Sequence, residues 1–219
     1  MAHTYDGSNP LQREQGTTHA VAACRRGEVV AVNVDGAYVL IADAFSRRGV
    51  EQLATLRGRP GMNMPVLVGR SDTVDGIALL RGESAVVARD LMRDCWPGPL
   101  TVAALVQPSL PWSCTPDGVV AMRMPLHPWT LDLVRALGPT AYVPAQPAGG
   151  APIETIAEVE AIYGDGVGTY LDGGPCLPGQ SPSIVDVTGE DAVFVREGAF
   201  RFDYLVGIAP LLLNGLASD

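Results

Sequence analysis

The chain has 219 residues, 47% of them hydrophobic, enough for one large α/β domain with a substantial core. Its 15 basic and 24 acidic residues give a net charge of −9, which excludes a broad basic face for nucleic acid but leaves room for a local basic pocket. All the cations are Arg, so any role usually filled by Lys falls here to a guanidinium.

The first residues contain no basic segment followed by an apolar one, and no run is apolar and long enough to span a bilayer. The expectation is a soluble cytoplasmic protein with no membrane partner. Asn9-Pro10 predicts a helix over residues 11–27, with Gly27 as its stop. EVVAVNV (28–34) and AYVLIADAF (37–45) read as strands, followed by a helix over 48–56 and a short buried strand in MPVLVG (64–69). Asp72 is a suitable N-cap for a short helix over 72–80, and a longer helix covers 83–95. LTVAALV (100–106) and GVVAMRM (118–124) predict strands, the second rich in β-branched residues.

Pro128 and Gly138 bracket a helix over 128–137, TAYV (140–143) reads as a strand, and residues 153–163 as a helix. Three strands divided by Gly turns follow, within 166–174, 183–189 and 192–198. The last apolar stretch, YLVGIAPLLLNGL, predicts a helix over 201–219 that docks on the body or forms a homodimer surface. The alternation of elements predicts a single α/β domain over 1–219, with a core over about 11–200 and a mixed sheet flanked by helices. Cys24, Cys95, Cys114 and Cys176 include no C-x-x-C pair and have no His at ligand spacing, so no metal centre is predicted.

Four segments gather polar residues in tight turns or at strand ends. Arg57-Gly58-Arg59 sets two planar forks in a stiff turn, a geometry suited to phosphate or carboxylate; two solvated side chains at a helix end would look the same. Arg123 interrupts an apolar strand and needs either a core carboxylate or an anionic ligand. Gly179, Ser181 and Ser183 lie in a turn whose hydroxyl and N–H groups suit phosphate oxygens, and Arg196 ends a strand before a Gly turn. Taken together the four Arg would bind a polyanion such as a nucleoside triphosphate. There is no Walker loop, no dinucleotide-binding glycine motif and no hydrolase nucleophile elbow.

The ordered set CWPGPLT, VAMRMPLHP, SIVDVTG and VREGAF resembles the YrdC-like family of threonylcarbamoyl-AMP synthases, over about residues 11–200. The resemblance implies a twisted mixed sheet around a large, positively charged concavity. It implies condensation of L-threonine, bicarbonate and ATP into threonylcarbamoyl-AMP and pyrophosphate, with Mg²⁺ accompanying ATP, in service of tRNA modification. Trp96 to Thr101 would form a rigid turn at one pocket edge. The family's K-x-R becomes Arg57-Gly58-Arg59, implying a catalytic pair, while Arg123, Ser183, Arg196 and Gln146 would contact nucleotide or phosphate. Asp35, Tyr38 and Pro144 would line the substrate pocket.

The chain also departs from the pattern. Asn33, Val34, Gly36 and Val39 replace most of the P-T-D-T-x-Y-G motif, and Pro144-Ala145-Gln146 stands where S-x-N is expected. Two alternatives are therefore carried: an ATP-dependent carbamoyl-adenylate enzyme with a different amine, and a nucleotide- or RNA-binding protein without catalysis.

Overall fold

Alternating apolar strands separated by punctuated helices assemble into one mixed sheet. The computed structural model describes residues 3–110, 112–147, 150, 153–176 and 179–216. In chain order the elements are β1 (His3–Asp6), α1 (Pro10–Arg25), β2 (Val30–Val34), β3 (Ala37–Asp43), α2 (Arg47–Arg57), β4 (Val66–Leu67), α3 (Thr73–Ile77), β5 (Ala78–Leu79) and α4 (Gly82–Cys95). There follow β6 (Leu100–Val106), β7 (Val119–Arg123), α5 (Pro128–Leu137), β8 (Thr140–Pro144), α6 (Ile156–Tyr163), β9 (Thr169–Asp172), β10 (Ser183–Asp186), β11 (Val193–Arg196), α7 (Phe202–Ile208) and β12 (Leu213–Asn214).

Local chemistry explains the helix starts. The Asn9 side chain accepts from the Leu11 and Gln12 amides to open α1, and the Ser46 hydroxyl accepts from Gly49 N to open α2. Thr155 and Glu158 form a reciprocal capping box at α6. Two expected helices differ. The stretch over 72–80 shortens to α3 and turns directly into β5, because Ala78 and Leu79 pair with Val106 and Leu105 of β6. The helix expected over 201–219 ends at Ile208; Pro210 follows, and Leu213–Asn214 instead lie parallel to β11.

The strand order is β1-β9-β2-β3-β8-β4-β7-β6-β10-β11-β12, with β5 paired to β6. Parallel and antiparallel neighbours alternate irregularly, as in β2–β3 (antiparallel) and β4–β7 (parallel). Side chains alternate between the two faces. One face buries Leu40, Val66, Leu100, Met122, Val143 and Phe194 against α2, α4, α6 and α7. The opposite face, at the β2–β3 end, buries Val30, Val32, Val39 and Ile41 against Ala20, Ala23 and Cys24 of α1 and Trp129, Leu133 and Val134 of α5. These two helices cover only part of that face. Beyond them, over β7, β6, β10 and β11, the sheet lies open, and the cavity described next sits there.

Candidate functional site

The open part of the sheet face floors a cavity of about 510 Å³, within the size range of small-molecule sites. Alternation selects its lining: Val39 from β3, Tyr142 and Pro144 from β8, Ala121 and Arg123 from β7, Thr101 from β6, Ile184 from β10 and Arg196 from β11. The β2–β3 hairpin and the Gly179–Pro182 turn form its walls.

Register puts the cations on one lateral row. Thr101 of β6 is the partner of Ile184 on β10, and Ile184 is the partner of Arg196 on β11. On the other side, the antiparallel β6–β7 register that pairs Val102 with Met122 continues to bring Thr101 opposite Arg123. Three inter-strand steps of about 4.8 Å separate the Arg123 and Arg196 backbones by about 14 Å, a span two guanidiniums can close around a triphosphate.

Arg123 is 6% exposed and forms an ion pair with Asp35. Asp35 sits at the tip of the β2–β3 hairpin with φ 49°, followed by Gly36 at φ 92°, the two left-handed positions a tight hairpin requires. Its Oδ1 accepts from the amides of Leu126 and His127, both at 2.8 Å, while Oδ2 meets the guanidinium. Asp35 therefore staples the hairpin tip to the segment leading into α5. Arg123 Nε is buried without a hydrogen-bond partner among the described residues, a donor whose desolvation is costly until something accepts from it.

Arg196 is exposed and donates from Nε and Nη2 to Pro182 O, at 3.0 and 2.6 Å. It makes no ion pair among the described residues, so its charge remains available to a ligand. Arg57, at the end of α2, donates to the carbonyl of Gln146, which itself lines the cavity. The bend at 145–146 is held from its other side by Tyr163, whose hydroxyl donates to Ala145 O at 2.6 Å.

Of the residues expected at the site, the cavity lining thus includes Asp35, Arg123, Pro144, Gln146 and Arg196, with Arg57 one hydrogen bond away. Three lie elsewhere. Arg59 is exposed and is not part of the lining. Tyr38 is buried on the opposite face, its hydroxyl bonded to Gly174 O at 2.7 Å and to Asp172 Oδ1 at 3.1 Å. Ser183 is fully buried; its Oγ donates to Phe200 O and accepts from the amides of Gly198 and Phe200, leaving no valence for a phosphate. Both hydroxyls face away because Val39 and Ile184, their immediate neighbours, take the cavity side.

Thr101 and Tyr142, not singled out from the sequence as ligand contacts, do line the cavity. Burial pushes the Tyr142 phenol pKa up, while the guanidiniums of Arg123 and Arg196 pull it down. The expected rigid turn is present: Trp96 Nε1 donates to Leu100 O at 2.8 Å and Gly98 N to Met124 O at 2.9 Å. A Cβ at Gly98 would stand 2.5 Å from Cys95 O, so the turn tolerates no side chain there. Only Thr101, at its end, reaches the cavity lining; Trp96 and Pro97 face a separate shallow hollow.

Among the described residues no three His, Cys, Asp or Glu side chains cluster as metal ligands. The Asp35 carboxylate is fully engaged by two amides and a guanidinium, so the site offers no protein cage for Mg²⁺. Among the described residues no helix is long and apolar enough to cross a membrane.

The fold is a mixed α/β sheet with helices on its faces, and one cavity on it is lined by Arg123 and Arg196 from separate strands. Residues 22–198 match the Sua5/YciO/YrdC family, described as telomere recombination, and the chain belongs to that family. A Mycobacterium tuberculosis protein provisionally named threonylcarbamoyl-AMP synthase is 37% identical over 201 residues, covering 90% of this chain and 91% of the relative. The Bacillus subtilis threonylcarbamoyl-AMP synthase is 33% identical over 207 residues, covering 91% of this chain but 58% of the relative. In fold, the chain is similar to Pyrococcus abyssi Sua5 crystallised with L-threonine: TM-score 0.83 at 22% identity, over 100% of this chain and 65% of that one.

Proposed function

We propose that the chain is a threonylcarbamoyl-AMP synthase acting on L-threonine, bicarbonate and ATP. The observation that carries this reading is the pair of guanidiniums, Arg123 and Arg196, at the two ends of one row on the cavity floor. The names of the M. tuberculosis and B. subtilis relatives support the choice of substrates.

In this reaction the threonine amine attacks the carbon of bicarbonate, and water leaves to give a carbamate. A carbamate oxygen then attacks the α-phosphorus of ATP, and the bond to the bridging oxygen breaks, so that pyrophosphate departs with the electron pair. No side chain forms a covalent bond. The protein contributes position and charge. Arg123 and Arg196 neutralise the triphosphate, with Gln146 bordering it and Arg57 holding the Gln146 carbonyl in place. Asp35 and Pro144 shape the amino-acid end. Mg²⁺ would accompany the nucleotide and offset phosphate charge, with no carboxylate cluster among the described residues to hold it.

The product serves adenosine modification in tRNA, which fits a cytoplasmic protein working as one domain over residues 1–219. RNA contact, and a homodimer across the exposed Tyr204, Leu211 and Leu213, extend the proposal; tRNA titration and sedimentation test them.

A second reading is favoured by one observation. Pro144 and Gln146 wall the cavity where the family pattern carries a hydroxyl and a shorter amide. This fits a different amine substrate, or nucleotide binding without turnover. Pyrophosphate release from ATP and bicarbonate, with and without L-threonine, separates the readings. Threonine-stimulated release supports the first. Release with another amine only, or nucleotide binding without release, supports the second.

A further inference from the structure

Tyr142 is a ligand-binding candidate that the sequence patterns do not mark. It lies on β8 two residues before Pro144, so both side chains point to the cavity face. Its lower ring packs at the edge of the core under α1 and α5. Its hydroxyl has no hydrogen-bond partner among the described residues, unlike Tyr38, Tyr163 and Tyr170, whose hydroxyls all donate to backbone carbonyls. On the same face lies one buried donor without a partner among those residues, Arg123 Nε, and across from Arg123 the hydroxyl of Thr101 makes no hydrogen bond to them and lines the cavity. Buried polar groups in folded proteins are nearly always paired, so the orphaned Arg123 Nε, in a lining that also holds the free hydroxyls of Tyr142 and Thr101, marks a recess suited to an acceptor.

The geometry points to Tyr142 as the residue that, with Arg123 Nε and Thr101 Oγ1, binds an oxyanion group of the substrate, donating from its phenol where Pro144 offers no hydroxyl. The recess takes a phosphate or a carboxylate oxygen, since all three groups donate and a guanidinium supplies the charge. Burial holds the phenol above its ordinary pKa, against the opposing pull of Arg123 and Arg196, so it keeps the proton it would donate. The inference deepens the synthase proposal by assigning the contact that orients one anionic end of a substrate, and it rests on that reading for the identity of the substrates.

The test compares wild type with Tyr142→Phe, which keeps the packed ring and removes only the hydroxyl. Both are titrated calorimetrically with inorganic pyrophosphate, ATP and L-threonine, and their melting temperatures are measured. The expected result is an unchanged melting temperature and a loss of roughly 10- to 100-fold in affinity for at least one ligand, the range for a hydrogen bond to a charged group. Loss towards ATP and pyrophosphate assigns the recess to phosphate; loss towards threonine assigns it to carboxylate. Affinities within twofold for all three ligands, or no binding of any of them by wild type, overturn the inference. Binding that depends on Tyr142 in a protein that releases no pyrophosphate would overturn the synthase proposal and leave the recess standing.

Discussion

Asp35 and Arg123 form a buried ion pair between a hairpin tip and the end of a central strand, 88 residues apart in the chain. The carboxylate also accepts two backbone amides, so a single side chain fixes the hairpin, the approach to α5 and the orientation of the cavity's deepest guanidinium. Asn at 35 keeps the left-handed turn and the amide acceptor but removes the charge. Asp35→Asn should destabilise the fold by about 3–5 kcal/mol, because Arg123 is left buried and unpaired. Urea denaturation measures it; a loss under about 1 kcal/mol would mean that water reaches the guanidinium and stands in for the pair.

Arg196 should behave oppositely. It is exposed and bonded only to a backbone carbonyl, so Arg196→Ala should leave the melting temperature nearly unchanged. Nucleotide affinity should fall by roughly 1.5–3 kcal/mol, the worth of a charge-assisted hydrogen bond. Equal loss of stability and affinity would make Arg196 a structural strut.

Arg57 and Arg59 should separate. Arg57 holds the Gln146 carbonyl at the cavity edge, whereas Arg59 is exposed and outside the lining. Arg57→Ala should weaken ATP binding more than Arg59→Ala does, in parallel calorimetric titrations. The reverse order would show that the loop after α2 closes over the nucleotide.

Ser183→Ala should act on stability. Its hydroxyl serves one carbonyl and two amides of the turn after β11 at a fully buried position. Orphaning such groups costs about 1–3 kcal/mol each. The melting temperature should drop, and any loss of ligand affinity should track disorder of that turn and recover at lower temperature.

His127 predicts a pH dependence. Burial holds its pKa below the ordinary 6.5, outweighing the attraction of Asp35; Arg13 lowers it further, and a backbone contact with Gly173 raises it. Above pH 6.5 neither folded nor unfolded chain carries the proton, and nothing is lost. As pH falls through 6.5 the unfolded chain protonates first, so stability declines until the folded pKa is passed. His127→Gln should flatten that slope in melting curves taken across this range; an unchanged slope would assign it to other groups.

Much of this architecture was legible in the sequence, and the limits have physical reasons. The strand at Leu100–Val106 and the helix at Pro128–Leu137 match their expected ends because Pro and Gly punctuate them. β1, β5 and β12 were missed: each is only two to four residues long and exists because a distant strand pairs with it. The apolar run at the carboxyl end resembled a helix but breaks at Pro210. At the site, Arg123 and Arg196 stood out because charges at strand ends are conspicuous. Thr101 and Tyr142 did not, since Thr and Tyr are ordinary strand residues. Ser183 and Tyr38 were misplaced for a single reason: one step along a strand reverses the face, and only the observed register shows which neighbour meets the cavity.

In the proposed function, cations from separate strands hold ATP while L-threonine is carbamoylated beside it. Pyrophosphate release, measured with ATP, bicarbonate and L-threonine on wild type and Arg196→Ala side by side, tests it most directly. Release should require threonine, and kcat/KM for ATP should be lowered by roughly 10-fold or more in the variant. Release indifferent to threonine, or equal in the two proteins, would contradict the proposed function.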